Sequence, residues 1–156
     1  MTVQDIMTTN VQTCTPTTTL PQVVRLMREA GCGIIPVIDT RGQVSGVVTD
    51  RDISMALVAT SRKPANVAVH EIMSGPVHAC GPGDDLRSAL AAMRQFRVRR
   101  LPVISADGRL EGIVSMDDFI LRAVASDGPT SIEIIAAMRE ILKPAGEPLL
   151  VADVPR

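Results

Sequence analysis

Residues 34–52, IIPVIDTRGQVSGVVTDRD, decide the fold of this chain. The apolar run 34–38 predicts a buried strand, residues 39–42 predict a turn, and residues 44–49 predict a second strand that returns beside the first. A helix is expected over residues 50–59, where two carboxylates suit the positive end of the helix dipole. The stretch therefore predicts a β-hairpin that leads directly into a helix.

The same pattern occurs a second time along the chain. Residues 69–125 align without a gap on residues 3–59. The identical pairs include prolines, which restrict the backbone, and glycines, which allow conformations closed to other residues. These pairs are Pro16/Pro82, Pro36/Pro102, Gly42/Gly108 and Gly46/Gly112. The chain is therefore built from a tandem repeat.

The residues before each hairpin predict a short strand and an amphipathic helix. In the first copy the strand is expected at residues 11–13, and Thr19 with Gln22 predicts a capping box ahead of an apolar stripe. In the second copy the strand is expected at residues 77–79, and Asp85 is expected to begin the helix.

The second hairpin predicts strands 101–104 and 110–115, followed by a helix through Phe119 and Val124. Each copy then has the order β-α-β-β-α, which places the chain in the α/β (α+β) fold class. Each small sheet buries only one face against its own helices. We therefore expect the two sheets to stack about a pseudo-twofold axis and form one globular core.

The repeats predict a first repeat at residues 1–60, a linker at 61–68, a second repeat at 69–126, and a C-terminal helix and tail at 127–156. A capping box of Thr130 and Glu133 is expected to begin the tail helix. Its apolar face is expected to contain Ile134, Ile135, Met138, Ile141 and Leu142. Lys143-Pro144 is expected to end it, with the remaining residues loosely held.

Composition narrows the classes of function. The net charge is −1, and the chain has two Phe but no Trp or Tyr, so it lacks the aromatic platforms that bind single-stranded nucleic acid. The composition therefore argues against nucleic acid as a partner, and the short Arg97, Arg99 and Arg100 group is the only basic cluster that could bind it. No segment approaches about 20 apolar residues, and the first ten residues do not resemble a signal peptide. We expect a cytoplasmic protein without a membrane partner.

The three cysteines, Cys14, Cys32 and Cys80, have no metal-ligand spacing and are interpreted as free, mainly buried thiols. His70 and His78 are interpreted as surface residues, because neither has a nucleophile or metal ligand nearby in sequence. The carboxylate pairs at 50/52 and 117/118 are explained by the helix dipole rather than by a metal. The sequence therefore predicts no catalytic residue, no metal site and no enzyme.

Both hairpins end on the same polar motif, Gly46-Val-Val-Thr49-Asp-Arg-Asp52 and Gly112-Ile-Val-Ser115-Met-Asp-Asp118. Each motif places a hydroxyl at a strand end and a carboxylate three residues later, where a helix begins. The free N–H groups of that helix end can receive phosphate oxygens, and the aspartate can accept both hydroxyls of a ribose. The alternative is a helix cap without a ligand. Two copies, each with Asp where Glu or Gln is commoner, favour the ligand.

The chain resembles the CBS domain, the cystathionine-β-synthase-type module that occurs as tandem pairs. The resemblance covers nearly all of residues 3–125. It includes Asp5-Ile6-Met7, Glu71-Ile72-Met73, Pro36-Val37-Ile38-Asp39, Leu101-Pro102-Val103-Ile104 and both motifs above. It implies adenosine derivatives bound in clefts between the repeats, with Thr or Ser at the phosphate or ribose and Asp at the ribose hydroxyls.

Carried over to this sequence, the resemblance implies a binding site made of two kinds of residue. The phosphate and ribose would be held by the polar side chains at the two helix starts and by the arginines before Pro102. The base would be held by backbone and apolar side chains around residues 11–13 with 34–36, and around residues 77–79 with 100–102. The expected residues are Val11, Thr13, Ile35, Pro36, Thr49, Asp52, Val77, Arg99, Arg100, Leu101, Pro102, Ser115 and Asp118.

The two copies differ just before the proline of the first hairpin strand. The second copy has Arg99-Arg100-Leu101-Pro102, which resembles family members in which a basic pair holds phosphates, whereas the first has Gly33-Ile34-Ile35-Pro36. Solvated arginine is the alternative for Arg100. Arg51 stands beside the helix start of the first copy. Two equivalent sites are therefore not expected.

The predicted function is a regulatory module that binds AMP, ADP, ATP or a related adenosyl ligand, needs no obligatory cofactor, and modulates an enzyme or transporter on another chain. The resemblance further implies a homodimer of modules. The alternative is a structural or oligomerising module with no bound nucleotide.

Overall fold

The computed structural model describes residues 1–122 and 128–143. The first repeat contains helix α1 (Leu20–Ala30), strands β1 (Ile34–Ile38) and β2 (Val44–Thr49), and helix α2 (Asp50–Ala59). The second contains helix α3 (Leu86–Phe96), strands β3 (Arg100–Ile104) and β4 (Leu110–Ser115), and helix α4 (Met116–Arg122). Helix α5 (Ser131–Leu142) follows, and short 3-10 turns lie at Val3–Asp5, Pro64–Asn66 and Val69–Glu71.

Both predicted hairpins are present and share one register. In the first, β1 pairs with β2 in antiparallel fashion with Pro36 opposite Val47. In the second, β3 pairs with β4 with Pro102 opposite Ile113. Each hairpin runs directly into its helix, so the mixed α/β (α+β) class is confirmed.

The strands predicted at residues 11–13 and 77–79 are wrong. The pairing lies just beyond each of them, at single parallel bridges between Cys14 and Val37 and between Cys80 and Val103. In the first repeat the backbone bends on both sides of the bridge. Upstream, the Val11 N–H donates to the Thr9 carbonyl (3.0 Å), and downstream a turn follows at residues 15–18. A chain that touches the sheet edge between two bends cannot extend the ladder.

The helices α1 and α3 begin where the sequence predicts. The Thr19 N–H and hydroxyl both donate to Gln22 Oε1 (2.9 and 3.0 Å), and the Asp85 carboxylate accepts from two N–H groups of the first turn of α3. Both helices end on a left-handed residue. Gly31 has φ 61°, and Arg97, its equivalent in the second repeat, has φ 53° although it carries a Cβ.

The buried side chains form two clusters, one for each repeat, so the expectation of one shared core is wrong. The reason is an exchange between the repeats. Residues 3–8, here called the first arm, place Val3 and Ile6 in the core of the second repeat. Residues 69–74, the second arm, place Val69 in the core of the first.

Backbone bridges complete the exchange. Thr8 pairs with Ile113 on β4, and Ser74 pairs with Val47 on β2. Both Thr8–Ile113 hydrogen bonds measure 2.9 Å. Each arm therefore adds to the sheet of the other repeat, and the two repeats are related by a pseudo-twofold axis with their arms exchanged.

Helix α5 packs against α3 and α4. It buries Ile134, Ala137 and Ile141, whereas Ile135 and Leu142 are 60% and 63% exposed, so their prediction as part of the apolar face is wrong. Residues three and four apart share a helical face, so Ile134, Ala137 and Ile141 form one buried stripe. Ile135 and Leu142 each follow a residue of this stripe and therefore point away from it. The helix ends at Leu142, as predicted before Pro144. Val124 and the tail after residue 143 lie outside the described residues.

The three cysteines are free, and burial raises the pKa of Cys14 to about 11 and of Cys80 to about 12. These two thiols are therefore protonated near neutral pH and are poor nucleophiles. None of the helices in the two described ranges is long and apolar enough to span a membrane.

Candidate functional site

A cavity of about 520 Å³ lies between the two repeats. We call it the larger cavity, because a second, smaller cavity lies at the equivalent motif of the second repeat. It is lined by residues 49–52 at the junction of β2 and α2, by residues 74–78 after the second arm, and by residues 97–100 between α3 and β3. Its volume lies in the range of about 300–1,000 Å³ that small-molecule sites occupy.

The polar motif of the first repeat both caps α2 and faces this cavity. The Thr49 N–H and hydroxyl donate to Asp52 Oδ2 at 2.8 and 2.7 Å, and the Asp52 N–H donates to Thr49 Oγ1 at 3.2 Å. Among the residues that the structure describes, Asp52 Oδ1 accepts no hydrogen bond. One carboxylate oxygen therefore satisfies the helix end, and the other is left as an acceptor on a residue that lines both this cavity and a neighbouring groove beside Arg62 and Glu71.

The equivalent motif of the second repeat is more enclosed. Ser115 makes the same bonds to Asp118 Oδ2, at 2.8 Å from its N–H and 2.6 Å from its hydroxyl. Asp118 is only 8% exposed, and its Oδ1 lies 3.7 Å from Arg122 Nη1. The cavity here measures about 210 Å³, below the usual range for ligand sites. We call it the smaller cavity.

The two cavities cross between the repeats. Thr49 and Asp52 share the larger cavity with Val77, Arg99 and Pro102 of the second repeat. Ser115 and Asp118 share the smaller cavity with Val11 of the first repeat. Arg100 and Ile34 line both cavities. Each helix start therefore faces the loop segment of the opposite copy.

The two repeats that form these cavities have a counterpart among known proteins. The family model of the CBS domain matches residues 3–59 and again residues 69–124. The chain belongs to the CBS domain family. The resemblance seen in the sequence is thereby confirmed.

Similar proteins are found both among known sequences and among solved structures. YhcV, a CBS domain-containing protein of Bacillus subtilis (strain 168), is 33% identical over 129 residues, which is 83% of this chain and 90% of that protein. The structure of TA0289 from Thermoplasma acidophilum matches with a TM-score of 0.76 at 24% identity, covering 90% of this chain and 75% of that one. CBSX2 in complex with AMP matches with a TM-score of 0.68 at 27% identity, covering 79% and 96%.

Four arginines line the larger cavity of this CBS pair: Arg51, Arg97, Arg99 and Arg100. Within the described ranges, the guanidinium groups of Arg51, Arg99 and Arg100 form no ion pair. Arginine is always charged and donates up to five hydrogen bonds. The cavity therefore favours an anionic ligand at its arginine side.

Sequence reasoning missed part of this lining. It did not name Arg97, residues 74–76 or the His78 side chain as part of the site. The His78 ring stacks on Phe96 with centroids 3.8 Å apart and the planes 10° from parallel. His78 is exposed, as the sequence predicted, yet its ring offers a flat surface at the cavity. The sequence did contain a signal for Arg97, because the alignment of the two repeats places this arginine where the first repeat has Gly31.

Four other residues expected at the CBS site lie elsewhere. Ile35 and Leu101 are fully buried in the two cores, because they alternate with cavity-side neighbours along their strands. Pro36 is buried and lines neither cavity. Thr13 lines a separate surface cavity of about 310 Å³ with Arg109.

Proposed function

We propose that this CBS pair is a regulatory module that binds an adenine nucleotide in the larger cavity and modulates a partner protein. One observation carries the proposal. The cavity joins a carboxylate with a free oxygen, on Asp52, to arginines from the opposite repeat. The complex of CBSX2 with AMP supports it, because that protein is similar over 79% of this chain.

The lining residues suit the three parts of such a ligand. Asp52 Oδ1 can accept from a ribose hydroxyl, since a carboxylate oxygen is an acceptor only. Arg99 and Arg100 can donate to phosphate oxygens in the bidentate manner that guanidinium allows. Ile34 and Val77 supply apolar surface for the base, beside the His78 ring. The proposal assigns no reaction to this site.

The signal would pass through the packing of the repeats. A ligand held by both repeats binds more tightly to one relative arrangement than to another, and so shifts the population towards it. A cytoplasmic enzyme or transporter on another chain would respond to that shift. AMP, ADP and ATP are the proposed ligands.

Isothermal titration with AMP, ADP, ATP, NAD and S-adenosylmethionine tests the proposal. We expect at least one of these to bind and to raise the melting temperature, since a ligand that prefers the native state stabilises it. Absence of binding to all five at concentrations on the order of millimolar would defeat the nucleotide proposal.

Replacing Asp52 by alanine is expected to weaken nucleotide binding at least about tenfold, because a hydrogen bond to a charged group is lost. Asp118→Ala is the matched control. Both variants lose the carboxylate that accepts from the N–H and hydroxyl of the residue at the helix start, but only Asp52 lines the larger cavity. Equal losses of affinity in the two variants, or unchanged affinity in Asp52→Ala, would contradict the assignment.

The alternative, an oligomerising module without nucleotide, has an observation of its own. Met55 on α2 and Leu121 on α4 are equivalent residues of the two repeats and are 63% and 79% exposed. Val58 on α2 is 88% exposed. Such an apolar surface suits a second copy of the chain. Light scattering that shows a dimer unaffected by every nucleotide, together with negative titrations, would support this alternative.

A further inference from the structure

Arg97 has a backbone conformation that its side chain does not favour. It ends α3 at φ 53° and ψ 43°, and it is the one non-glycine residue with positive φ in the described ranges. Its equivalent, Gly31, ends α1 at φ 61° and ψ 33°. Left-handed backbone is disfavoured for residues with a Cβ, and glycine is the usual helix terminator there. The fold needs this conformation at both helix ends, but it does not need an arginine.

Packing does not explain the arginine either. Arg97 is exposed, and within residues 1–122 and 128–143 its guanidinium makes no hydrogen bond or ion pair. Glu140 lines a neighbouring groove with Arg97, and its pKa is lowered by a hydrogen bond from Lys143 and, less strongly, by the charge of Arg97; its ion pair, however, is with Lys143 Nζ at 2.6 Å. The other surface that Arg97 reaches is the larger cavity, which it lines with Arg99 and Arg51.

We propose that Arg97 determines specificity, by favouring nucleotides that carry more phosphate groups. This inference rests on the proposed function of the larger cavity. A cation at the cavity attracts a ligand in proportion to the ligand's charge. The contribution of Arg97 is therefore absent for adenosine and increases from AMP to ADP to ATP. The first repeat has glycine at this position, so the smaller cavity gains no such charge from it.

The test compares adenosine, AMP, ADP and ATP binding in the wild type and in Arg97→Gly, Arg97→Asn and Arg97→Lys. Arg97→Gly is expected to raise the melting temperature, because it removes the unfavourable Cβ. It is also expected to weaken ATP binding about tenfold and AMP binding about threefold, and to leave adenosine binding unchanged. Arg97→Asn tolerates the backbone and lacks the charge, so it should lose affinity in the same order. Arg97→Lys should restore most of it.

Arg25→Gln is the control. It removes one positive charge from the exposed face of α1, away from both cavities, and should change each affinity less than about twofold. Equal losses for adenosine and ATP in Arg97→Gly, or an unchanged ATP affinity, would overturn the role of Arg97 while leaving the nucleotide site standing. If the wild type binds none of the four ligands, the proposed function itself fails, and this inference fails with it.

Discussion

Replacing Ile6 by alanine is expected to lower the free energy of unfolding by about 2–5 kcal/mol, the usual cost of truncating a fully buried isoleucine. Ile6 is 1% exposed in the core of the second repeat. Chemical denaturation measures the change. Ile132→Ala on α5 is the matched control, because Ile132 is 80% exposed, and it should change stability by no more than about 0.5 kcal/mol.

The location of the damage tests the exchange of arms. Hydrogen exchange in Ile6→Ala should show lost protection in α3, β3 and β4, whose buried residues share a cluster with Ile6. The helices and strands of the first repeat follow Ile6 in sequence but should keep more of their protection. Loss confined to α1, β1 and β2 would show that the first arm packs within its own repeat.

A methyl group at Gly112 is expected to cost about 1–3 kcal/mol through overpacking. A Cβ there would lie 2.7 Å from the Thr8 carbonyl oxygen and 2.9 Å from Met7 Sδ. Thr8 is held in place by its two hydrogen bonds to Ile113, so the first arm cannot move away without breaking them. Thermal or chemical unfolding of Gly112→Ala measures the loss.

Alanine substitutions at two other glycines serve as comparisons for Gly112→Ala. At Gly46 the nearest atom to a Cβ is Met73 Sδ, at 2.9 Å, which belongs to a flexible side chain that can move. The backbone carbonyl oxygen of Ser74 lies at 3.2 Å, farther than that of Thr8 from Gly112, so Gly46→Ala should cost less than Gly112→Ala. At Gly83 no atom lies within 4 Å, and Gly83→Ala should be nearly neutral. Similar losses at Gly83 and Gly112 would mean that crowding against the first arm is not the cause.

Local patterns predicted the local elements well. The hairpins followed from alternation and turn residues, and the starts of α1, α3 and α5 followed from Thr19, Asp85 and Thr130. The exchange of arms could not be predicted in this way. Val3 and Val69 occupy equivalent positions in nearly identical patterns, so the sequence does not say which of two similar cores receives each of them.

For the site, too, the sequence predicted the local motif but not how the repeats pack around it. Thr49 and Asp52 stand at a helix start, as their spacing indicates, and the structure shows that capping and cavity lining are compatible on one carboxylate. The crossing of the cavities depends on the packing of the repeats, which no motif encodes. Ile35 and Leu101 were expected at the site because of the family resemblance, although strand alternation directs their side chains into the cores.

The exchanged arms suggest how a tandem repeat of this kind could arise from a single copy. A single ancestral copy with its arm in the position seen here would lack the residues that fill its own core, since Val3 and Ile6 pack on the opposite half. It could be completed only by a domain-swapped partner of the same sequence. Such a pair separates on dilution, whereas fusion of two copies in one polypeptide makes the swap intramolecular and independent of concentration.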